Sequence, residues 1–168
     1  EHFLNEMNET EIKVQRAAVV HRALSRVGLP FSHQQMHPDI GFDCVGLLRD
    51  ALHEIGWTPL DEGTPALWTA YAQRPEDGLL TSALLKEFVP IPLDDALEGD
   101  VIEMAYGGAR RHLAIVARRA GVTAPPSLPM SVPPQIVHST ELFGVALHDL
   151  DPHWWARATG CYRLKRWA

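Results

Sequence analysis

The sequence has almost no cysteine: two residues in 168, Cys44 and Cys161. Two thiols cannot build a disulfide scaffold, and they do not supply the four ligands of a structural zinc site. Long apolar runs are missing as well. None approaches the roughly 20 residues that cross a bilayer, so no membrane span is expected. The first residues, Glu1-His2-Phe3-Leu4-Asn5-Glu6, lack a basic stretch followed by an apolar one, and no signal peptide is read in them. The chain begins at Glu1 rather than Met, which leaves its address open. Positive charge is also in deficit, 15 Lys and Arg against 21 Asp and Glu for a net charge of −6. Nothing here resembles the basic footprint of a nucleic-acid binder, and DNA and RNA are not expected partners.

What is present is a globular composition, 46% hydrophobic and 21% charged, which argues against disorder and coiled coil. A chain of this length fits one domain that buries about two thirds of the surface its unfolded form would expose. Residues 1–9 read as a flexible polar segment and 10–168 as a single domain. Ala17, Val20, Ala23, Leu24 and Val27 recur at helical spacing until Gly28 and Pro30, predicting a first amphipathic helix. Residues 31–41 read as a loop. Cys44, Leu47, Leu48, Ala51, Leu52 and Ile55 then form a full helical stripe closed by Gly56, so Cys44 belongs to the first turn of a core helix. Two shorter helical stretches are expected at 65–72 and 78–88, with Pro75, Pro90 and Pro92 as breaks.

After Gly99-Asp100 the pattern changes to short strands at 101–104, 112–117, 135–139, 142–147 and 161–164. Helices first and strands later predict an α+β fold. Five prolines between Gly121 and Pro134 make an extended loop, and Asp151-Pro152-His153-Trp154-Trp155 reads as a capped short helix. No internal repeat is found.

Periodicity alone makes Cys44 a small hydrophobe. Its place at a helix N-terminus, where unpaired N–H groups and the helix dipole favour a thiolate, also suits a nucleophile. Such a nucleophile needs a base, and the base needs a partner on its other ring nitrogen. His112, alternating with Ala114 and Val116 on one strand, and His138, closing Gln135-Ile136-Val137 on a later one, are the candidates. If those strands are neighbours, both imidazoles can face one helix terminus. The Cys44 N–H is the first oxyanion donor to name. Asp43 reads as the N-cap of the same helix. His33, His37 and Asp39 could be drawn as metal ligands, but Pro38 spoils the helical spacing, and neither metal nor cofactor is expected. Cys161, Trp154, Trp155 and Trp167 read as core residues.

Gly41-Phe42-Asp43-Cys44-Val45-Gly46-Leu47-Leu48, preceded by Gly28-Leu29-Pro30-Phe31, resembles the nucleophile region of the NlpC-type cell-wall peptidases. These are papain-like enzymes whose cysteine opens a helix and whose two further polar residues lie on the sheet. The resemblance runs on through Gly99-Asp100-Val101-Ile102, through Arg111-His112-Leu113-Ala114-Ile115 for the base, and through Ile136-Val137-His138 for the third member, covering roughly residues 17–164. It implies a papain-like domain with Cys44, His112 and His138 as catalytic residues. It also implies hydrolysis of amide bonds in peptidoglycan stem peptides, commonly between the D-glutamyl residue and the following diamino acid.

Asp43 matches the acidic residue that such enzymes use for the stem's free amine. Val45 and Phe31 stand where many members have a substrate-binding Ser and Tyr. Phe31-Ser32-His33-Gln34 and the stretch from Trp154 to Arg163 resemble the branch found in phage tails and phage-like gene transfer particles. That branch implies a tail hub or tip as partner, and a place in the virion tail or delivery to the periplasm or cell wall. Two other contexts fit the same residues: a secreted amidase effector, and a structural tail module that keeps the fold without the activity.

Overall fold

The computed structural model describes residues 7–58, 79–105, 111–118 and 133–168. The helix expected at 65–72 and all but the end of the Pro-rich loop lie outside them.

Helix α1, Glu9–Ser25, starts earlier than its apolar stripe because a capping box holds it: the Asn8 side chain accepts from the Glu11 N–H at 2.9 Å, and the Glu11 carboxylate accepts from the Asn8 N–H at 2.8 Å. The helical period is as expected, but the buried face is rotated by one position. Arg16, Val19, Val20 and Ala23 are buried, while Ala17, Leu24 and Val27 are exposed. The cause is electrostatic. Arg16 is drawn inward to donate to Asp100 at 2.9 Å and to the Glu98 carbonyl at 2.7 Å.

The segment expected to be all loop contains a small ribbon, β1 (Met36–His37) paired antiparallel with β2 (Gly41–Phe42). Two-residue strands carry no alternation for a pattern to find. Gly41 is needed there: its φ is +132°, and a Cβ would sit 2.5 Å from the Pro30 carbonyl oxygen. Helix α2 (Cys44–His53) follows, then α3 (Leu79–Glu87), which runs straight into β3 (Phe88–Ile91). Pro90 had marked that strand as a break. It is tolerated because β3 is an edge strand that, among the described residues, pairs only with the last strand.

The remaining strands are β4 (Val101–Ala105), β5 (Arg111–Arg118), β6 (Gln135–Thr140), β7 (Gly144–Asp149) and β8 (Ala158–Leu164), with the short helix α4 (Pro152–Trp155) before β8. Together they form one six-stranded antiparallel sheet in the order β3-β8-β4-β5-β6-β7. The architecture is the expected α+β. Strand β7 starts two residues late because Leu142 and Phe143 form an exposed turn, and Gly144 (φ +63°) leaves no room for a Cβ against the Leu29 carbonyl oxygen 2.5 Å away.

Both sheet faces are covered. On one, Leu113, Ile115, Val137 and Val145 pack against Val19 and Ala23 of α1, Leu47, Leu48 and Ala51 of α2, and Ala83 and Leu84 of α3. On the other, Ile102, Met104, Ala114, Val116, Ile136 and Cys161 pack under Leu150 and Trp154. Two ion clusters set the helices on this sheet. Asp100 takes Arg16 of α1 and Arg163 of β8, and Asp50 of α2 takes both Arg22 of α1 and Arg26, which caps its C-terminus. Burial pushes the Asp50 carboxyl up, but the two guanidiniums prevail and hold it below the usual carboxylate range. The orientation of α2, and with it of Cys44, is thus fixed from α1.

Candidate active site

Cys44 opens α2 because Asp43 ends the extended segment before it. Both Asp43 carboxylate oxygens accept backbone N–H groups: Oδ1 from Gly46 and Oδ2 from Gln34, each at 2.7 Å. The first of these is the N-cap bond, and the second ties the loop of β1 to the helix start. His33 Nδ1 stands 3.8 Å from the same Oδ2. Gly46 permits the arrangement, since a Cβ there would lie 2.0 Å from the Gln35 carbonyl oxygen. Ser139 of β6 donates to the Phe42 carbonyl at 2.7 Å, binding the nucleophile loop to the strand that carries His138.

With Gly46 capped by the Asp43 side chain and the Leu47 N–H on the Asp43 carbonyl, the N–H groups of Cys44 and Val45 are left facing the sulfur. The Leu113 N–H of β5 also points at it. Even so, burial first and the Asp43 carboxylate second push the half-buried thiol up to about 12. The helix terminus was expected to favour a thiolate. Desolvation and a neighbouring negative charge outweigh it, and the resting thiol is neutral.

His112 lies one residue before Leu113. Its Nε2 is 2.8 Å from His138 Nδ1. The β5–β6 register makes this possible: Ile115 faces Val137, so the two histidines project from the same sheet face as diagonal neighbours. The chain does not stop there, because His138 Nε2 is 2.7 Å from His148 Nδ1 on β7. Burial lowers His112 to about 4; burial, and then the charges of its two histidine neighbours, lower His138 to about 2. Trp154 closes the cluster, edge-on to His138 at 4.7 Å and stacked on His148 at 5.4 Å.

His112 and His138 share the sheet face that Trp154 covers, α2 packs on the other face, and Cys44 meets the sheet at the start of β5, where the Leu113 N–H reaches the sulfur. Alternation explains this, since His112 and Leu113 must point to opposite sides.

Of the other residues singled out, Phe31 is half-buried and bridges Phe42. Val45, 1% exposed, lies in the core beside α2's other apolar residues and offers no surface to a ligand. Cys161, Trp154 and Trp167 are buried, whereas Trp155 is exposed. His37 Nδ1 accepts the Asp39 N–H at 3.2 Å, and among the described residues no group of three or more His, Cys, Asp or Glu is arranged to hold a metal ion. Sequence reasoning missed His148, because the expected strand ended at Leu147, one residue short. The alternation Ala146, His148 on the strand beside His138 was the available signal.

No family model matches the chain, and no curated protein does. Solved structures do. An NLP/P60-family protein of Staphylococcus aureus Mu50, described as similar to lipoprotein, superposes with a TM-score of 0.59 at 16% identity over 98% of this chain and 44% of that one. The peptidoglycan hydrolase RipB of Mycobacterium tuberculosis gives 0.56 at 18% identity, over 94% of this chain and 68% of that one. The P60 domain of a Mycobacterium avium subspecies paratuberculosis antigen gives 0.57 at 18% identity, over 91% and 96%. The chain thus spans less than half of the S. aureus protein and nearly all of the M. avium domain. At these identities the likeness is one of fold, and the fold of this chain is that of an NlpC/P60 domain.

Proposed function

We propose that this chain is a cysteine-type cell-wall hydrolase that cuts amide bonds in peptidoglycan stem peptides, with Cys44 as nucleophile, His112 as base and His138 as the partner that orients it. One observation carries the reading. A cysteine opening a helix has its sulfur against the N–H of Leu113, and the adjacent His112 begins a hydrogen-bonded imidazole chain. The fold is one found in a protein described as a peptidoglycan hydrolase.

In the first half-reaction His112 Nδ1 takes the Cys44 proton as the sulfur attacks the amide carbonyl carbon. The Cys44 and Val45 N–H groups receive the oxyanion. The C–N bond then breaks, the departing amine takes the proton from His112, and a thioester remains. Water, losing a proton to His112, resolves the thioester to a carboxylate and regenerates the thiol. With a neutral resting pair, proton transfer accompanies attack rather than preceding it.

The D-glutamyl–diamino acid bond is the proposed target, and a phage or phage-like tail the proposed setting; the flanking genes test the second independently. Asp43 and Val45 bear on recognition. Both Asp43 oxygens already hold backbone N–H groups, so a substrate amine would have to share them. These two positions favour, as a second reading, a wall-binding module of the same fold. Digestion of purified peptidoglycan by the protein and by Cys44→Ala, with muropeptides identified by mass spectrometry, separates the two readings. Cleavage lost in Cys44→Ala supports the enzyme and names its bond. Binding without cleavage by either protein, on walls of several chemotypes, overturns it.

A further inference from the structure

We infer that His148 is a positioning residue that sets the proton order along the imidazole chain, holding His112 in the tautomer a base requires. This rests on the proposed roles of Cys44 and His112, and it follows from counting protons along the chain.

For His112 Nδ1 to accept a proton from Cys44, the neutral ring must carry its hydrogen on Nε2. That N–H donates to His138 Nδ1 across 2.8 Å, so the neutral His138 ring carries its own hydrogen on Nε2. His138 is 0% exposed. Its Nε2–H therefore requires a protein acceptor, and the atom 2.7 Å away is His148 Nδ1. A buried donor without an acceptor is costly. Removal of that acceptor makes the opposite order the cheaper one: hydrogen on His138 Nδ1, donating to His112 Nε2, with the remaining His112 hydrogen on Nδ1, where it blocks proton acceptance from Cys44. An acceptor at the far end of the chain thus makes the productive order at the near end available.

The surroundings keep His148 in the orientation this requires. Its ring is stacked on Trp154 at an interplanar angle of 16° and meets Phe143 edge-on at 5.2 Å. Trp154 is anchored in turn by the Asp151 cap, whose Oδ1 accepts the Trp154 N–H at 3.1 Å. An exposed surface histidine would have no such clamp. Low proton affinity at His112 and His138 makes the bond between them one of two neutral rings, where tautomer order is what counts.

The test compares His148→Leu, which removes the acceptor, with His148→Asn, whose Oδ1 stands where Nδ1 stood. With histidines labelled by ¹⁵N, the wild-type protein should show hydrogen on Nε2 of His112, His138 and His148, and a through-hydrogen-bond coupling between His138 Nε2 and His148 Nδ1. In His148→Leu the His112 hydrogen should move to Nδ1, and in His148→Asn it should stay on Nε2. Peptidoglycan cleavage should follow: kcat falls about 10- to 100-fold in His148→Leu with KM little changed, and recovers to within about threefold in His148→Asn. A His112 tautomer unchanged in His148→Leu, or hydrogen on His138 Nδ1 in the wild type, overturns the inference. The tautomer measurement needs no substrate and no variant for its wild-type arm. A failure of the enzymatic reading, seen as no cleavage by the wild type, is therefore distinguishable from a failure of this one.

Discussion

Lowering the pH should destabilise this protein through His112 and His138 well before the Asp50 carboxylate responds. Both rings are buried neutral, with proton affinities lowered from 6.5 to about 4 and about 2. In the unfolded chain each regains its ordinary value. Below about pH 6.5 the unfolded state therefore binds protons that the folded state refuses, and stability, full above that value, is lost as pH falls. The loss grows until about 4 for His112 and about 2 for His138. At about pH 5 each residue contributes a gap of roughly 1.5 units at about 1.36 kcal/mol per unit, about 2 kcal/mol each and about 4 for the pair. The result hardly depends on how far below 5 the folded values lie. Asp50, held down by its arginines, adds its own acid loss only below the ordinary 3.8. Urea unfolding at about pH 7 and pH 5 measures the change, and subtracting the same experiment on the His112→Gln, His138→Gln double variant removes every other titration. A difference of about 4 kcal/mol is expected, against a total stability of roughly 5–15. Equal pH dependence in the two proteins would refute the reasoning.

Gly46→Ala should cost about 3 kcal/mol and most of the proposed activity, because the new Cβ meets the Gln35 carbonyl oxygen at 2.0 Å and only a shift of the first turn of α2 relieves it; urea unfolding that changes by less than about 0.5 kcal/mol would contradict this. Ultraviolet titration of the thiolate, in a Cys161→Ser background, should show no step below about pH 9 for Cys44. A step in the acid range would instead reveal a preformed thiolate–imidazolium pair. Asp50→Asn should destabilise by about 2–4 kcal/mol, since it leaves Arg22 and Arg26 facing a neutral amide in a partly buried setting; a loss below about 1 kcal/mol in thermal or urea unfolding would mean that the cluster does not hold α1 on α2.

Much of this was legible because it rests on short-range pattern. The Cys44 stripe, the Asp43 and Asp151 caps, and the strands around His112 and His138 each declare themselves within ten residues or so. What was not legible depends on distant partners. The buried face of α1 turned by one position because Asp100, 84 residues away, draws Arg16 inward. Strand β3 was hidden by Pro90, which only an edge position excuses. The strand that carries His148 was read two residues short at its end, and alternation within a single strand could not say that β7 would lie beside β6. The rise in the Cys44 thiol's proton affinity was equally out of reach, since a helix terminus is visible in sequence and desolvation is not.

These differences bear on how the proposed chemistry divides its labour. A base oriented by a carboxylate gains proton affinity from the adjacent charge. Here the orienting group is itself a neutral, buried imidazole, and His112 is left with low proton affinity. Such a ring is a weak base toward a thiol and, once protonated, a strong acid toward a departing amine. Taking the proton from Cys44 is therefore the harder half of the first step, and giving it to the leaving group the easier half. The structure offers compensation at the harder half. In the proposed step the Leu113 N–H meets the sulfur as its proton leaves, and the Cys44 and Val45 N–H groups at the helix start take the negative charge that attack places on the carbonyl oxygen. Proton order in the imidazole chain keeps the accepting nitrogen of His112 open at that moment. In the proposed mechanism, nucleophile activation thus depends less on a charged partner than on backbone donors at one end of β5 and a correctly ordered row of neutral rings behind it.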